Sequence, residues 1–531
     1  MLIAGKEKSY MQITEESIKD MLKQGKSAND ILLCLGIAPE SLDPTLASLI
    51  STLITMLSSF MDSIDSNFQD MNSKIDALTN MLLESKNRNS SNSSLPPSKD
   101  GYGKPTTKSR SLREKSGRKP GGQVGHKGNG LARIAADETV VTNHYPRECM
   151  DCPHIEECLN RMKCIATGHV YETKTIVVDN THKAYGIVCP MAQKLYKASL
   201  EEANVASSQQ YGNSIKSAIL VLWSVGISSI SRIGKMMRNL FRISLSEGTI
   251  QNIINGFADR CDGCVEAIRS YLSKAKVKGA DETGLRTDGS LHWLHVVCND
   301  KATYLYANKK RGFKAIEDDG LLLDASGSLI HDCWSSYFKL ESVSHAICLQ
   351  HIQRELRGAA QKEPKHKEYF KSIEDLLLDM RKAKLDAMEQ GMTSLSKSEM
   401  ASFKKRYRDL ISKGLETIKQ PKRASRLSLG KIPQGKVRSL LLRLEKYEDC
   451  VFRFLEDFEV EYTNNESERS LRGSKVRQSV SKCFRTNEGL NVFAKINTIL
   501  DTANKNGIDR YEMINSILNN TALPLLGSVL V

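Results

Sequence analysis

The chain has 531 residues, 40% hydrophobic and 26% charged, which is enough for roughly three or four domains with separate cores. A formal net charge of +14 points to a polyanionic partner, because surplus Lys and Arg neutralise phosphates and release their counterions. Pattern argues against a secretory leader or a membrane span, since the longest uncharged apolar stretch, Leu46 to Met61, is too short to cross a bilayer, so a cytoplasmic location without membrane contact is expected.

Residues 1–40 read as a small helical module with helices at Glu15 to Lys23 and Ala28 to Leu35. Over 41–84, Leu46, Leu49, Leu53, Met56, Phe60, Ile64, Phe68, Met71, Ile75, Leu78 and Leu82 recur at spacings of three and four, with a stutter around Ile64. This predicts a coiled coil and self-association; the alternative is an amphipathic helix packed on its own chain. Residues 85–135 shift to Ser, Asn, Pro, Gly, Lys and Arg and form no core. There Arg118, Lys119 and Lys127 lie in a glycine-punctuated cationic stretch, suited either to a DNA backbone or to a solubilising linker.

Residues 136–200 hold a cysteine cluster. Cys149-x2-Cys152 is half of a tetrahedral zinc site, and the remaining thiolates or imidazoles come from Cys158, Cys164, Cys189, His144 or His154. The expected set is Cys149, Cys152, Cys158 and Cys189 around a structural Zn2+, with Cys164 as the substitute. The odd total of 13 cysteines, mostly scattered, suits a reducing compartment. Residues 201–275 read as helices broken at Gly226 and across Ile243 to Ser246, with Ser246 as an N-cap. Lys235, Arg238 and Arg242 suggest a helix-turn-helix-like DNA-binding region, with ordinary helix packing as the alternative.

Val277 to Asp300 alternates apolar and polar residues around Asp288-Gly289 and Asn299-Asp300, and Ala302 to Ala307 continues it, so a three-stranded antiparallel meander is expected. Asp281, mid-strand, is on its own either a surface acid or a ligand for a hard cation. A helix at Phe313 to Leu323, a strand from Ser328 to Trp334 carrying Asp332, and a strand at Ser344 to Leu349 complete the order of a ribonuclease H-like fold, which sets Asp281 beside Asp332. Residues 353–455 are charged and helical throughout, an all-helical insertion into the core formed by 276–352 and 456–510; 511–531 is a C-terminal tail. Thr463 with Glu466 reads as a capping box, leaving Glu468 to project as a third carboxylate. Arg469, Arg472, Lys475 and Arg477 form a basic run suited to phosphates or to a solvated helix face.

Together these segments carry a resemblance. Lys119-Pro-Gly-Gly-Gln-Val-Gly-His-Lys-Gly128, the cysteine module, Asp281-Glu-Thr, His331-Asp-Cys-Trp-Ser-Ser-Tyr-Phe338, Cys348-Leu-Gln-His351-Ile-Gln-Arg354 and Asn464-Asn-Glu-Ser-Glu-Arg469 occur in the order seen in the large transposases of the insertion sequence 66 family, which are DDE-type enzymes. The family's last box is Asn-Asn-x-x-Glu-Arg, which places its catalytic glutamate at Glu468. The resemblance implies catalysis by Asp281, Asp332 and Glu468 holding two Mg2+ ions about 4 Å apart, with Mn2+ as a substitute. His351 and Arg354 are expected to contact DNA. Implied partners are double-stranded DNA at the element's terminal inverted repeats and at the target, further copies of the chain, and accessory transposition proteins, in a prokaryotic, nucleoid-associated setting. A repressor or architectural protein that has lost catalysis, and a ribonuclease H-like nuclease, are the competing functions. The family commonly carries two Cys-x2-Cys pairs, whereas this chain carries one.

Overall fold

A computed structural model describes residues 21, 24, 26–87, 139–167, 176–200, 205, 209–225, 228–419 and 435–530. The expected helix at Glu15 to Lys23 falls largely outside these residues, and the stretch bearing Arg118, Lys119 and Lys127 wholly so, as does Gly226. The chain divides into two compact units, one of Met1–Thr107, Gln350–Asp386 and Leu395–Glu448, the other of Lys108–Leu349, Ala387–Ser394 and Asp449–Val531.

The first unit begins with α1 (Ala28–Cys34), whose N-cap Ser27 and residue Asp30 form a reciprocal capping box. Next comes α2 (Pro44–Asn87), an unbroken helix of 44 residues. Leu49, Leu53, Met56, Phe60 and Phe68 on it are each more than half exposed, so no described residue fills its apolar stripe. The side chains of Leu78 and Leu82 lie outside the described set.

The second unit starts with α3 (Arg147–Met150), α4 (Ile155–Leu159) and a hairpin of β1 (Gly186–Val188) and β2 (Leu195–Lys197). Four helices follow: α5 (Asn213–Ser224), α6 (Ile230–Phe241), α7 (Glu247–Asp259) and α8 (Asp262–Lys274). Ser246 caps α7, its hydroxyl accepting from Thr249 N. On α6, Ile233 and Met237 are buried while Arg232, Lys235 and Arg238 face solvent.

The meander forms as β3 (Val277–Thr287), β4 (Ser290–Cys298) and β5 (Thr303–Asn308). Its first turn places both Asp288 and Gly289 at positive φ, 47° and 71°, which the tight twist-matching hairpin turn requires and which Asp-Gly tolerates. Next are α9 (Phe313–Asp319), shorter than expected because Gly320 ends it in the left-handed region, then β6 (Ser328–His331) and β7 (Ser344–Ile347). Sheet order is β5-β4-β3-β6-β7, with β6 parallel to both β3 and β7. This mixed five-stranded sheet is consistent with a ribonuclease H-like core.

Helices α10 (Leu349–Lys362), α11 (Lys367–Glu389), α12 (Lys397–Thr417), α13 (Lys436–Lys446) and α14 (Glu448–Glu456) then follow without a strand among the described residues. Within the first unit, Tyr407 donates its hydroxyl to Leu444 O (3.0 Å) and Tyr369 to Leu410 O (2.8 Å). Both bonds satisfy carbonyls near helix packing surfaces, and Gly414 leaves room for the Tyr369 ring.

The second unit resumes with α15 (Asn465–Ser481), α16 (Asn487–Lys505), α17 (Arg510–Leu518) and α18 (Ala522–Val529). The free edge of β5 would otherwise leave amides unpaired, and α16 closes it. Thr502 Oγ1 accepts from Thr303 N (3.0 Å) and Thr498 Oγ1 from Leu305 N (2.9 Å), so two hydroxyls one helical turn apart replace a neighbouring strand. Thr498→Val keeps the shape but strands a buried amide; we expect a loss of about 2 kcal/mol, read as a lower denaturation midpoint.

Candidate active site

Asp281 and Asp332 sit on, or directly after, two strands that pair with each other. β3 and β6 pair in parallel at Val277↔Ser328, Lys278↔Leu329 and Gly279↔Ile330; Asp281 lies two residues beyond the last pair on β3, and Asp332 directly follows the end of β6 at His331. Neighbouring strands lie about 4.8 Å apart and level residues share a face. Both residues are half-buried. Asp281 Oδ1 accepts from Glu282 N (2.8 Å) and Asp332 Oδ1 from Trp334 N (3.1 Å), which limits their rotation.

The third carboxylate depends on how α15 is seated. Its N-cap is Asn464, not Thr463, and the Asn464 side chain makes no capping bond. Instead Asn464 Nδ2 donates to Ala280 O (2.8 Å), its backbone N–H to Cys348 Sγ (3.2 Å), and its Oδ1 accepts from Ser467 Oγ (2.7 Å). Gly279 makes this approach feasible, because a Cβ there would lie 2.6 Å from Ser467 Oγ and closer still to Asn464 Oδ1. The expected Thr463–Glu466 capping box is therefore replaced, and Glu466 pairs with Lys505 (3.2 Å) and Arg469 (3.3 Å). Ser470 faces β5, with its Oγ 3.4 Å from Thr303 Oγ1. Two residues earlier on α15, Glu468 is half-buried with its carboxylate within 4.8 Å of Cys348 Sγ. Gly279 and Asn464 position the site, yet no spacing rule picks them out; the visible signals are a glycine two residues before Asp281 and the Asn-Asn that opens the last box.

Across the sheet, strand alternation turns Glu282 to the face opposite Asp281. Glu282 accepts from Arg311 Nε (2.7 Å) and Tyr337 O–H (2.6 Å). His331 packs on Tyr337 and lies 3.1 Å from His345, ring nitrogen to ring nitrogen. Burial pushes its imidazole down to about 3, so the ring is neutral beside Asp332 at physiological pH.

The other expected contacts divide. Arg472 is exposed, and Arg469 is exposed with a surface ion pair to Glu466. Lys475 donates to Gly284 O. Arg477 turns inward and is corrected from a phosphate contact to a structural bolt, donating to Trp223 O (3.2 Å) and Ser228 O (3.1 Å) and stacking on Trp223. Burial pushes it down to about 10. It lies three residues from Ser474 and six from Leu471, on the helix face that meets the core. His351 and Arg354, on α10 in the first unit, face one another at 3.5 Å. The expected zinc set is not assembled. Among the described residues, no three of Cys149, Cys152, Cys158, Cys164 and Cys189 come within one ion's reach. Cys164 Sγ donates to Ala166 O (3.3 Å), and Cys189 Sγ accepts from Ala192 N (3.4 Å) inside the β1–β2 turn. A Cys-x2-Cys pair specifies half a site locally, whereas its closure depends on distant chain.

Since α15 leans on the missing Cβ of Gly279, Gly279→Ala is expected to cost about 2 kcal/mol in chemical denaturation through overpacking. No helix among the described residues is long and apolar enough to cross a membrane. Residues 208–492 match the family model described as transposase, IS66 family, and residues 42–132 match a family of unknown function. Among curated proteins, none matches the chain. The IS66 match takes in β3, β6 and α15, and with them all three carboxylates, over more than half of the sequence: the chain belongs to the IS66 family of DDE transposases, enzymes of mobile elements.

Proposed function

We propose that the chain binds the ends of an insertion sequence and catalyses metal-dependent strand cleavage and strand transfer, with Asp281, Asp332 and Glu468 as the catalytic carboxylates. The observation that supports this reading is the parallel pairing of β3, which carries Asp281, with β6, which ends one residue before Asp332, inside the stretch that matches the IS66 family. The donor chemistry suits a hard divalent cation, since all three side chains are carboxylates. These three residues would hold Mg2+, or Mn2+ in its place. When bound, the metal supplies Lewis acidity to the attacking water or 3′-hydroxyl and to the leaving 3′-oxygen.

The rest follows from the protein's own groups. The Glu282 and Trp334 amides keep the two aspartates from swinging away, so little reorganisation is needed when substrate arrives. Neutral His331 adds no competing positive charge beside Asp332. Arg469 and Arg472 on α15, with Arg232, Lys235 and Arg238 on α6, offer exposed cations to DNA phosphates. The uncovered stripe of α2 suits pairing with a second copy, which would bring two element ends together.

Asp281→Ala, Asp332→Ala or Glu468→Ala should each abolish Mg2+-dependent cleavage of labelled element ends while binding of those ends persists in a gel-shift assay. Cleavage retained in any of the three would reject the assignment of that residue.

A further inference from the structure

Arg311 is immobilised without its hydrogen-bonding capacity being used up. Its Nε donates to Glu282 (2.7 Å), and its guanidinium lies over two indoles, with centroids at 3.9 Å for Trp334 and 4.8 Å for Trp293. Each support is itself held. The Glu282 side chain is only 2% exposed and also accepts from Tyr337 O–H. Trp293 lies across Gly284, its ring carbons 3.6 Å from where a Cβ would stand. Trp334 gives its backbone N–H to Asp332.

A guanidinium carries five N–H donors in one plane, and Nε accounts for one. Among the described residues no protein acceptor takes the other four, neither terminal nitrogen is a buried unsatisfied atom, and the side chain is 34% exposed. The result is a flat cationic fork, held against two indoles and open to solvent; one of those indoles, Trp334, follows Asp332 by two residues. That geometry matches the paired non-bridging oxygens of a phosphodiester. A loop clamp alone would need the ion pair and the stacking but would gain nothing from four open donors.

We propose that Arg311 is a substrate-binding residue whose terminal nitrogens grip a backbone phosphate of bound DNA on the sheet face that carries Glu282, with Trp293 and Trp334 holding the guanidinium. The proposal rests on the reading of Asp281, Asp332 and Glu468 as the cleavage site.

The test uses the full chain and a duplex of about 30 base pairs, with binding measured across a NaCl series. In Arg311→Gln, loss of one phosphate contact should make the slope of log K against log[NaCl] shallower by about 0.9. An unchanged slope in a variant that circular dichroism shows to be folded would overturn the proposal. Should the variant fail to fold, acrylamide quenching of the wild-type tryptophans decides. Trp223 is 5% exposed, so quenchable emission comes mainly from Trp293 and Trp334. Added duplex should shield them, and unaltered quenching overturns the proposal. Asp281→Ala run in parallel keeps the two ideas apart: persistence of its cleavage sinks the site reading, whereas the Arg311 slope reports only on the phosphate grip.

Discussion

The docking of α15 on the sheet depends on one hydrogen bond made across a glycine. Asn464 reaches Ala280 O at 2.8 Å because Gly279 has no side chain to hold α15 off the sheet. The bond is buried, where a satisfied amide is stabilising and an unpaired one is costly. Its partners are 184 residues apart in sequence, so the contact closes a very long loop. The entropy of that closure is offset collectively by the apolar surfaces of α15 and α16 packed on the sheet, including Leu471, Leu490, Phe493 and Ile496.

Alternation along β3 gives two adjacent acids opposite assignments. Asp281 faces α15 and remains half-exposed, whereas Glu282 is withdrawn into a cluster with Arg311 and Tyr337. A buried carboxylate without such partners would be strongly disfavoured, and with them it becomes a rigid anchor. The anchor extends through Arg311 and Trp334 to the loop that starts at Asp332, so the back of the sheet stiffens the front. Both faces thereby bear on how firmly the start of the Asp332 loop is held.

The two ends of the chain are stabilised in contrasting ways. Around the sheet, apolar residues of α5–α9, β3–β6 and α15–α18 merge into one continuous core. On α2, Phe60 and Met56 are each 64% exposed, which a lone helix has no reason to maintain in water. A second identical stripe would bury these residues at the heptad positions where they already recur.

The amino-acid sequence by itself determines the local parts. Alternation and Asp288-Gly289 make the meander legible, Ser246 marks the start of α7, and the run of charged helical residues beyond 353 excludes strands there, all through short-range preferences of the backbone. The pairing of the strand that carries Asp281 with the strand that leads to Asp332 is legible too, because a parallel crossover leaves few registers. Tertiary structure alone decides the rest. It turns Arg477 inward while Arg472 stays out, although both are cations in one helical run, because the face that meets Trp223 is set by how α15 docks. It also selects Asn464 over Thr463 as the N-cap, since the partner of Asn464 is a carbonyl on a distant strand. Arg311, in a loop with no motif, becomes notable only when two tryptophans and a glutamate from three other segments surround it. Such contacts are made between residues far apart in the chain, and the physics that selects them is packing and hydrogen-bond satisfaction in three dimensions rather than periodicity along one.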